Sequence, residues 1–150
     1  MRHPDVARVG FIGSVPTGIA IARAAAETLK RVALELGGKN PIIIFPDADP
    51  KHAATAAIKG MNMNRQGQSC SSTSRVLVHA SLYEAVLAEL VDQAKALTIG
   101  LPWVEGNELG PMVSRRQFHR VRAYIDEGIR EGARLVCGGR RPSAPELSAG

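Results

Sequence analysis

Residues 6–36 read VARVGFIGSVPTGIAIARAAAETLKRVALEL, the pattern of a buried strand, a glycine-containing turn, an alanine-rich helix and a second strand. We expect these elements at Val6–Ser14, Thr17–Arg31 and Val32–Leu36, with Ser14 as the N-cap of the helix. A helix that connects two strands is the usual crossover between neighbours in a parallel sheet. This stretch therefore predicts an α/β fold.

The rest of the chain continues the alternation of strands and helices. We expect further strands at Asn40–Phe45, Arg75–His79 and Ala133–Cys137, and helices at about 50–64, 81–97 and 114–131. Strands that alternate with helices throughout a chain predict a largely parallel sheet flanked by helices.

Polar residues predict where the later helices begin. Asp49 precedes the first of them as an N-cap, with Pro50 at the first helical position. Ser81 and Glu84 form a capping box for the second helix, and Ser114 repeats the N-cap pattern for the third.

The composition is typical of one soluble globular domain. Of the 150 residues, 45% are hydrophobic and 22% are charged. No apolar run reaches the roughly 18 residues that a membrane span needs, and the N-terminus lacks the apolar core of a signal peptide. We therefore expect a cytoplasmic protein with no membrane partner.

The net charge of +5 raises the question of nucleic-acid binding. Between Arg115 and Arg141, eight arginines stand against three acidic residues, so this segment carries the basic excess. The arginines are not interleaved with aromatic residues, and no helix-turn-helix, zinc-finger or RNP pattern accompanies them. We interpret them as a solvated or partner-covered face and expect no nucleic-acid partner.

The cysteines and histidines argue against a disulfide framework and a metal centre. Cys70 and Cys137 are the only cysteines, and the four histidines are scattered without an i, i+4 pair. We expect no metal site. Cys137 falls in an apolar predicted strand and is interpreted as a core residue.

Cys70 lies in a loop of small and hydroxyl residues, QGQSCSSTSR at 66–75. A thiol between a helix and a strand, in such a loop, is placed to act as a nucleophile. Thirty-five positions earlier, Glu35 lies in LELGGKNP at 34–41, an apolar run followed by two glycines. Each residue alone has a simpler interpretation, a small buried cysteine or a solvated glutamate. Together they suggest a thiol nucleophile with a carboxylate base.

The turn between the first strand and the first helix is a candidate phosphate site. Gly13 and Gly18 bracket this turn, and the backbone N–H groups at a helix N-terminus attract anions. Pro16 removes one of these donors. Many crossovers use glycines without binding a ligand, so the pattern alone leaves both interpretations open.

Two strings of the chain match one family. ELGGKNP at 35–41 and GQSC at 67–70 closely resemble the paired signatures of the aldehyde dehydrogenase superfamily. LGPMV at 109–113 and EGARLVCGG at 131–139 look like later segments of the same family, so the similarity covers nearly the whole chain.

The resemblance implies a division of the chain. Residues 1–32 would be the C-terminal end of a Rossmann-like NAD(P)-binding domain, 33–141 a truncated catalytic domain with the thiol, and 142–150 a flexible tail. Members of the family are much longer, so the chain resembles a middle-third fragment of one. Full-length members are expected to be homo-oligomers, and the oligomerisation segment is missing here.

The resemblance also implies roles for individual residues. Cys70 and Glu35 correspond to the catalytic nucleophile and base. FIGSVPTG at 11–18 is similar to the family's Phe-Thr-Gly-Ser-x-x-x-Gly turn, which packs on the cofactor pyrophosphate. The cofactor-binding candidates are Gly13, Ser14, Gly18, Leu36, Gln117 and Arg120. The implied cofactor is NAD or NADP, and the choice between the two stays open.

The implied function is oxidation of a small-molecule aldehyde to a carboxylic acid. The aldehyde would form a thiohemiacetal and then a thioester on Cys70, and Glu35 would activate the water that hydrolyses the thioester. Two alternatives stay open. In the first alternative the chain would be a truncated remnant without activity, and in the second it would be a cofactor-independent thiol esterase that uses the same two residues.

Overall fold

The computed structural model describes residues 1–147, and residues 148–150 of the predicted tail lie outside the described part. The strands are β1 (Arg8–Gly13), β2 (Arg31–Leu36), β3 (Pro41–Ile44) and β4 (Arg75–Val78). The α-helices are α1 (Val15–Ala26), α2 (Pro50–Gly60), α3 (Tyr83–Ala96) and α4 (Arg115–Arg130). Short 3-10 turns lie at Met63–Arg65, Ala80–Leu82 and Pro145–Leu147. The predicted α/β class, with parallel strands and flanking helices, is confirmed.

The first crossover unit is β1, α1 and β2. The two strands are parallel neighbours, with their register running from Arg8 opposite Arg31 to Gly13 opposite Leu36. Helix α1 ends at Ala26, earlier than predicted, because the chain turns before β2 and Leu29 has a left-handed φ of +51°. The predicted domain boundary between residues 32 and 33 lies inside β2 and stays a prediction.

The second crossover unit is β3, α2 and β4, with α3 packed against α2. Its strands are also parallel, and they form a sheet separate from the first. Ile44, Ala53 and Val86 form the buried cluster between this sheet and the two helices. The opposite sheet face, with Ile43 and Leu77 as register neighbours, is exposed. The parallel strands of the prediction are therefore arranged in two small sheets.

The sequence prediction of a strand at Ala133–Cys137 is wrong. These residues form no strand, and Leu135 and Val136 are exposed. Within residues 1–147, strands β1 to β4 pair only with one another, so this segment has no neighbouring strand there to complete its backbone hydrogen bonds. Cys137 is partly exposed and lies outside any strand, so its interpretation as a core strand residue is also wrong.

The predicted capping box of Ser81 and Glu84 is also wrong. The Nδ1 atom of His79 accepts the Ser81 N–H at 3.3 Å and lies 2.8 Å from the Ser81 hydroxyl. This contact places Ser81 in a 3-10 turn, and α3 begins at Tyr83 without a side-chain cap. The predicted N-caps Ser14, Asp49 and Ser114 are confirmed by hydrogen bonds to Thr17, His52 and Gln117.

The C-terminal part of the described chain is built around α4. The apolar face of this helix, with Phe118, Val121 and Ile125, lines a cavity of about 550 Å³ together with the 99–112 loop and residues 139–147. Trp103 in that loop is 77% exposed. Among residues 1–147, no helix has the length and apolar character that a membrane crossing requires.

Candidate functional site

The loop that carries Cys70 is exposed at the thiol and hydrogen-bonded at its base. Cys70 is a free, exposed cysteine. Two residues later, Ser72 is only 5% exposed, and its hydroxyl lies 2.9 Å from the Met61 carbonyl and 3.3 Å from the Gly67 carbonyl. The Thr73 N–H donates to the Gly60 carbonyl at 2.9 Å. The loop is therefore fixed to the end of α2, while the thiol faces solvent.

The backbone before the thiol is unusual. Asn62, Gln66 and Gly67 have φ values of +54°, +53° and +68°. Non-glycine residues rarely adopt this left-handed conformation, which costs on the order of 1–2 kcal/mol for each residue. The contacts of Ser72 hold the loop around these positions, so the local strain is compensated by the surrounding hydrogen bonds.

The segment that follows Glu35 contacts the thiol loop directly. The Nδ2 atom of Asn40 donates to the Cys70 carbonyl at 2.7 Å and to the Ser72 carbonyl at 3.3 Å. An added Cβ on Gly38 would lie 3.9 Å from the Cys70 carbonyl oxygen, so the backbone of this segment also approaches the loop. Arg75 donates through its guanidinium to the Lys39 carbonyl. The structure thus brings the two sequence signatures together.

Glu35 lies on β2, opposite Ile12 of β1, and its side chain is exposed. Alternate residues of a strand point to opposite faces, so Glu35 points away from the face that Leu36 presents to α1. Three residues of chain span at most about 11 Å, which bounds the distance from the Glu35 backbone to Gly38 beside the thiol loop. The Glu35 side chain is therefore on an open face rather than in the apolar setting that the sequence suggested.

Four cofactor candidates lie together at the start of α1. Gly13 is opposite Leu36 in the β1–β2 register, and Ser14 caps the helix through the Thr17 N–H. An added Cβ on Gly18 would lie 2.7 Å from Leu36 Cδ2, so glycine allows the helix to pack closely on β2. The C-terminal ends of the two parallel strands and the N-terminus of α1 therefore meet.

This corner has the donors that a phosphate group needs. The hydroxyls of Ser14 and Thr17 are exposed and lie 2.9 Å apart. Val15 is the first residue of α1, so its N–H has no partner within the helix. Pro16 provides no donor, and the Gly18 N–H is bonded to the Ser14 carbonyl. Because the two hydroxyls are hydrogen-bonded to each other, one hydroxyl proton and the Val15 N–H are left as donors for a pyrophosphate, with fewer backbone donors than a turn without proline.

The two remaining cofactor candidates, Gln117 and Arg120, are on α4. The Gln117 N–H donates to Ser114, and the Arg120 guanidinium lies 5.9 Å from the centre of the Tyr124 ring. Within residues 1–147, neither side chain is hydrogen-bonded to β1, α1 or β2. The structure does not bring these two candidates to the corner formed by the other four.

Asn40, which contacts the thiol loop, and Ser72, which anchors the loop from within, were not among the predicted site residues. Asn40 is part of the string ELGGKNP. The one sequence feature that could have indicated its role is that this polar residue directly precedes a proline and an apolar strand. Its contact with Cys70 joins residues 30 positions apart, which no local pattern reveals. Among the described residues, no group of three or more His, Cys, Asp or Glu side chains could hold a metal ion.

The fold and the site define an α/β protein whose exposed Cys70 lies in a loop hydrogen-bonded to the segment that follows the glutamate-bearing strand β2. The profile of the aldehyde dehydrogenase family matches residues 1–150. The chain belongs to this family.

Similar proteins of known name support the assignment. The chain is 49% identical over 144 residues to a betaine aldehyde dehydrogenase of Sinorhizobium fredii, covering 96% of this chain and 29% of that protein. It superimposes on an aldehyde dehydrogenase of Bacillus cereus in an NAD+ complex with a TM-score of 0.91 and 43% identity, covering 97% and 30% of the two chains.

A third similar protein is the betaine aldehyde dehydrogenase of Staphylococcus aureus, whose structure contains NAD+. It gives a TM-score of 0.92 at 38% identity, covering 99% of this chain and 29% of that chain. The chain thus spans less than a third of the length of these relatives.

Proposed function

We propose that this chain carries the thiol and carboxylate of an enzyme that oxidises an aldehyde to a carboxylic acid with NAD or NADP. The observation that carries the proposal is the 2.7 Å hydrogen bond from Asn40 to the Cys70 carbonyl. This bond joins the segment that follows Glu35 to the loop of an exposed thiol. Membership of the aldehyde dehydrogenase family, and the NAD+ complexes of two relatives, support the reaction and the cofactor.

Cys70 forms the first bond to the substrate. Its thiolate attacks the aldehyde carbonyl carbon, and the carbonyl electrons move to the oxygen, which gives a thiohemiacetal alkoxide. The Cys70 backbone N–H is a donor for this oxyanion. NAD or NADP, held at the α1 corner, would supply the hydride acceptor by which the carbon bound to Cys70 reaches the oxidation level of a thioester.

Glu35 completes the reaction by hydrolysis. Its carboxylate accepts a proton from water as the water oxygen attacks the thioester carbonyl. The carbon–sulfur bond then breaks, which releases the carboxylic acid and returns the Cys70 thiolate. An exposed carboxylate is accessible to water in this chain, as the step requires.

The α1 corner would hold the cofactor. One hydroxyl of the Ser14–Thr17 pair and the Val15 N–H would donate to the pyrophosphate oxygens, and the helix N-terminus favours their negative charge. Leu36 would line the cofactor site through its backbone. Gln117 and Arg120 are proposed to approach the nicotinamide ribose, although they do not contact the corner in this structure. Relatives named betaine aldehyde dehydrogenases support a small polar aldehyde as the substrate class.

The proposal is tested by a burst experiment. The purified chain is mixed with excess NAD or NADP and a panel of small aldehydes that includes betaine aldehyde, and the absorbance of reduced nicotinamide is followed. We expect a burst proportional to protein that Cys70→Ser abolishes and the matched variant Cys137→Ser retains.

Other outcomes distinguish the alternatives. A burst that survives in Cys70→Ser refutes the role of this thiol. Absence of reduced nicotinamide, together with Cys70-dependent hydrolysis of an activated ester such as p-nitrophenyl acetate, favours the cofactor-independent esterase. Absence of both reactions favours the inactive remnant.

A further inference from the structure

Asn40 lies where the carboxylate-bearing segment meets the thiol loop. Its Nδ2 atom donates to the carbonyl oxygens of Cys70 at 2.7 Å and Ser72 at 3.3 Å. Its own backbone carbonyl accepts the Arg75 N–H at 3.3 Å. Asn40 therefore contacts the loop at Cys70, at Ser72 two residues later, and at Arg75, where β4 begins.

We propose that Asn40 is a positioning residue for the Cys70 thiol. The inference rests on the proposed function, in which Cys70 is the nucleophile. The 2.7 Å hydrogen bond fixes the peptide group that follows Cys70, and so it fixes the rotation of the backbone about the Cα–C bond of the nucleophile itself. A nucleophile attacks efficiently only while it is held in one orientation toward the atom that it attacks.

The other contacts of the loop hold positions beside the cysteine. The Ser72 hydroxyl donates to the Met61 carbonyl at the end of α2 and to the Gly67 carbonyl inside the loop, and Arg75 donates to the Lys39 carbonyl. Asn40 is the residue within 1–147 whose side chain donates to the Cys70 backbone. The Asn40 contact therefore acts on the backbone of the nucleophile, whereas the Ser72 and Arg75 contacts stabilise the loop as a whole.

The chemistry of the contact requires an amide. The asparagine side chain presents an N–H₂ donor, whereas an aspartate of nearly the same shape has only acceptors at neutral pH. In Asn40→Asp, a carboxylate oxygen would face the carbonyl oxygens of Cys70 and Ser72. Asn40→Ala removes the donor without adding charge, and Asn40→Gln keeps an amide one methylene further out.

The test measures the alkylation rate of Cys70 by iodoacetamide in the full 150-residue chain. Peptide mass spectrometry follows Cys70 and Cys137 in the same molecules, so Cys137 is an internal reference. The matched control is Asn107→Ala, because the Asn107 Nδ2 donates to the Leu101 carbonyl at 3.1 Å in another loop. Circular dichroism establishes that each variant is folded.

We expect Asn40→Ala and Asn40→Asp to slow Cys70 alkylation at least threefold relative to Cys137, because the loop no longer holds the nucleophile in one orientation. Asn40→Gln restores the rate to within about twofold of the unmodified chain, and Asn107→Ala leaves it unchanged. A Cys70 rate that is unchanged in the folded Asn40 variants overturns the inference. Equal changes at both cysteines, failure of Asn40→Gln to restore the rate, or loss of folding in both Asn40→Ala and Asn40→Asp indicates a purely structural contact and overturns it as well.

Alkylation needs neither aldehyde nor cofactor, so the two proposals fail separately. A chain that forms no reduced nicotinamide but shows the selective Asn40 effect refutes the redox function alone. A chain that gives the burst but shows no Asn40 effect refutes the positioning role alone.

Discussion

Replacement of Ser72 by alanine is expected to lower the free energy of unfolding by about 1–3 kcal/mol. The Ser72 hydroxyl is the described donor to the Met61 carbonyl, at 2.9 Å. The Gly67 carbonyl also loses the hydroxyl, but it keeps the Ser69 N–H at 2.9 Å. The cost therefore comes mainly from one carbonyl at the end of α2 that is left without its partner.

The assay for this prediction is urea unfolding followed by far-ultraviolet circular dichroism, with Ser74→Ala as the control. Ser74 lies in the same loop, and its hydroxyl has no hydrogen-bond partner among residues 1–147. For a chain of this size, about 1–3 kcal/mol corresponds to a fall in Tm of roughly 2–12 °C. If Ser72→Ala and Ser74→Ala differ by less than about 0.5 kcal/mol, the Ser72 hydroxyl does not hold the loop and the reasoning is wrong.

Two further predictions concern the core and the base. Val86→Ala removes two methyl groups from a residue that is 1% exposed, so the free energy of unfolding should fall by about 2–3 kcal/mol. The control is Val113→Ala, at a position that is 78% exposed, which should change the free energy of unfolding by less than about 0.5 kcal/mol. Equal effects in urea unfolding would contradict this core assignment. In a chain that gives the burst, Glu35→Gln should keep the burst amplitude and lower the steady-state rate by about 10²–10⁴-fold, because an amide cannot accept the proton of the attacking water. A burst that falls in parallel with the steady-state rate would place Glu35 in an earlier step.

Elements that depend on local sequence were predictable. The N-caps at Ser14, Asp49 and Ser114 need only a polar side chain and the backbone of the next three residues, and all three form. The alternation of strands and helices follows for the same reason, since hydrophobic periodicity and turn residues act over short distances.

Elements that depend on distant partners were not predictable. Residues 133–137 have the composition of a strand, but a strand needs a neighbour and none is described beside them. The capping box failed because the His79 ring contacts Ser81. The division into two sheets likewise depends on which strands meet, which the periodicity of single segments does not specify.

The candidate site was likewise predictable only where it depends on local sequence. From the sequence signatures, Cys70 and Glu35 were predicted to act together as nucleophile and base, and these roles stay predictions. The contact that joins the two signatures, from Asn40 to Cys70, was missed because hydrogen-bond partners 30 positions apart are determined by the fold. The left-handed conformations of Asn62 and Gln66 were missed as well, since neither residue is a glycine.

The division into two crossover units has a consequence for the order of folding. In each described sheet, a strand pairs with the strand that follows the next helix, β1 with β2 and β3 with β4. The pairing of β1 therefore does not require β3 or β4 to be present. Contacts between residues close in sequence form quickly, because little loop entropy is lost in making them. During synthesis, the first unit can assemble once β2 has left the ribosome, and the second once β4 has followed. The contact of Asn40 with the Cys70 loop belongs to this second unit, so it forms when β3 and β4 pair.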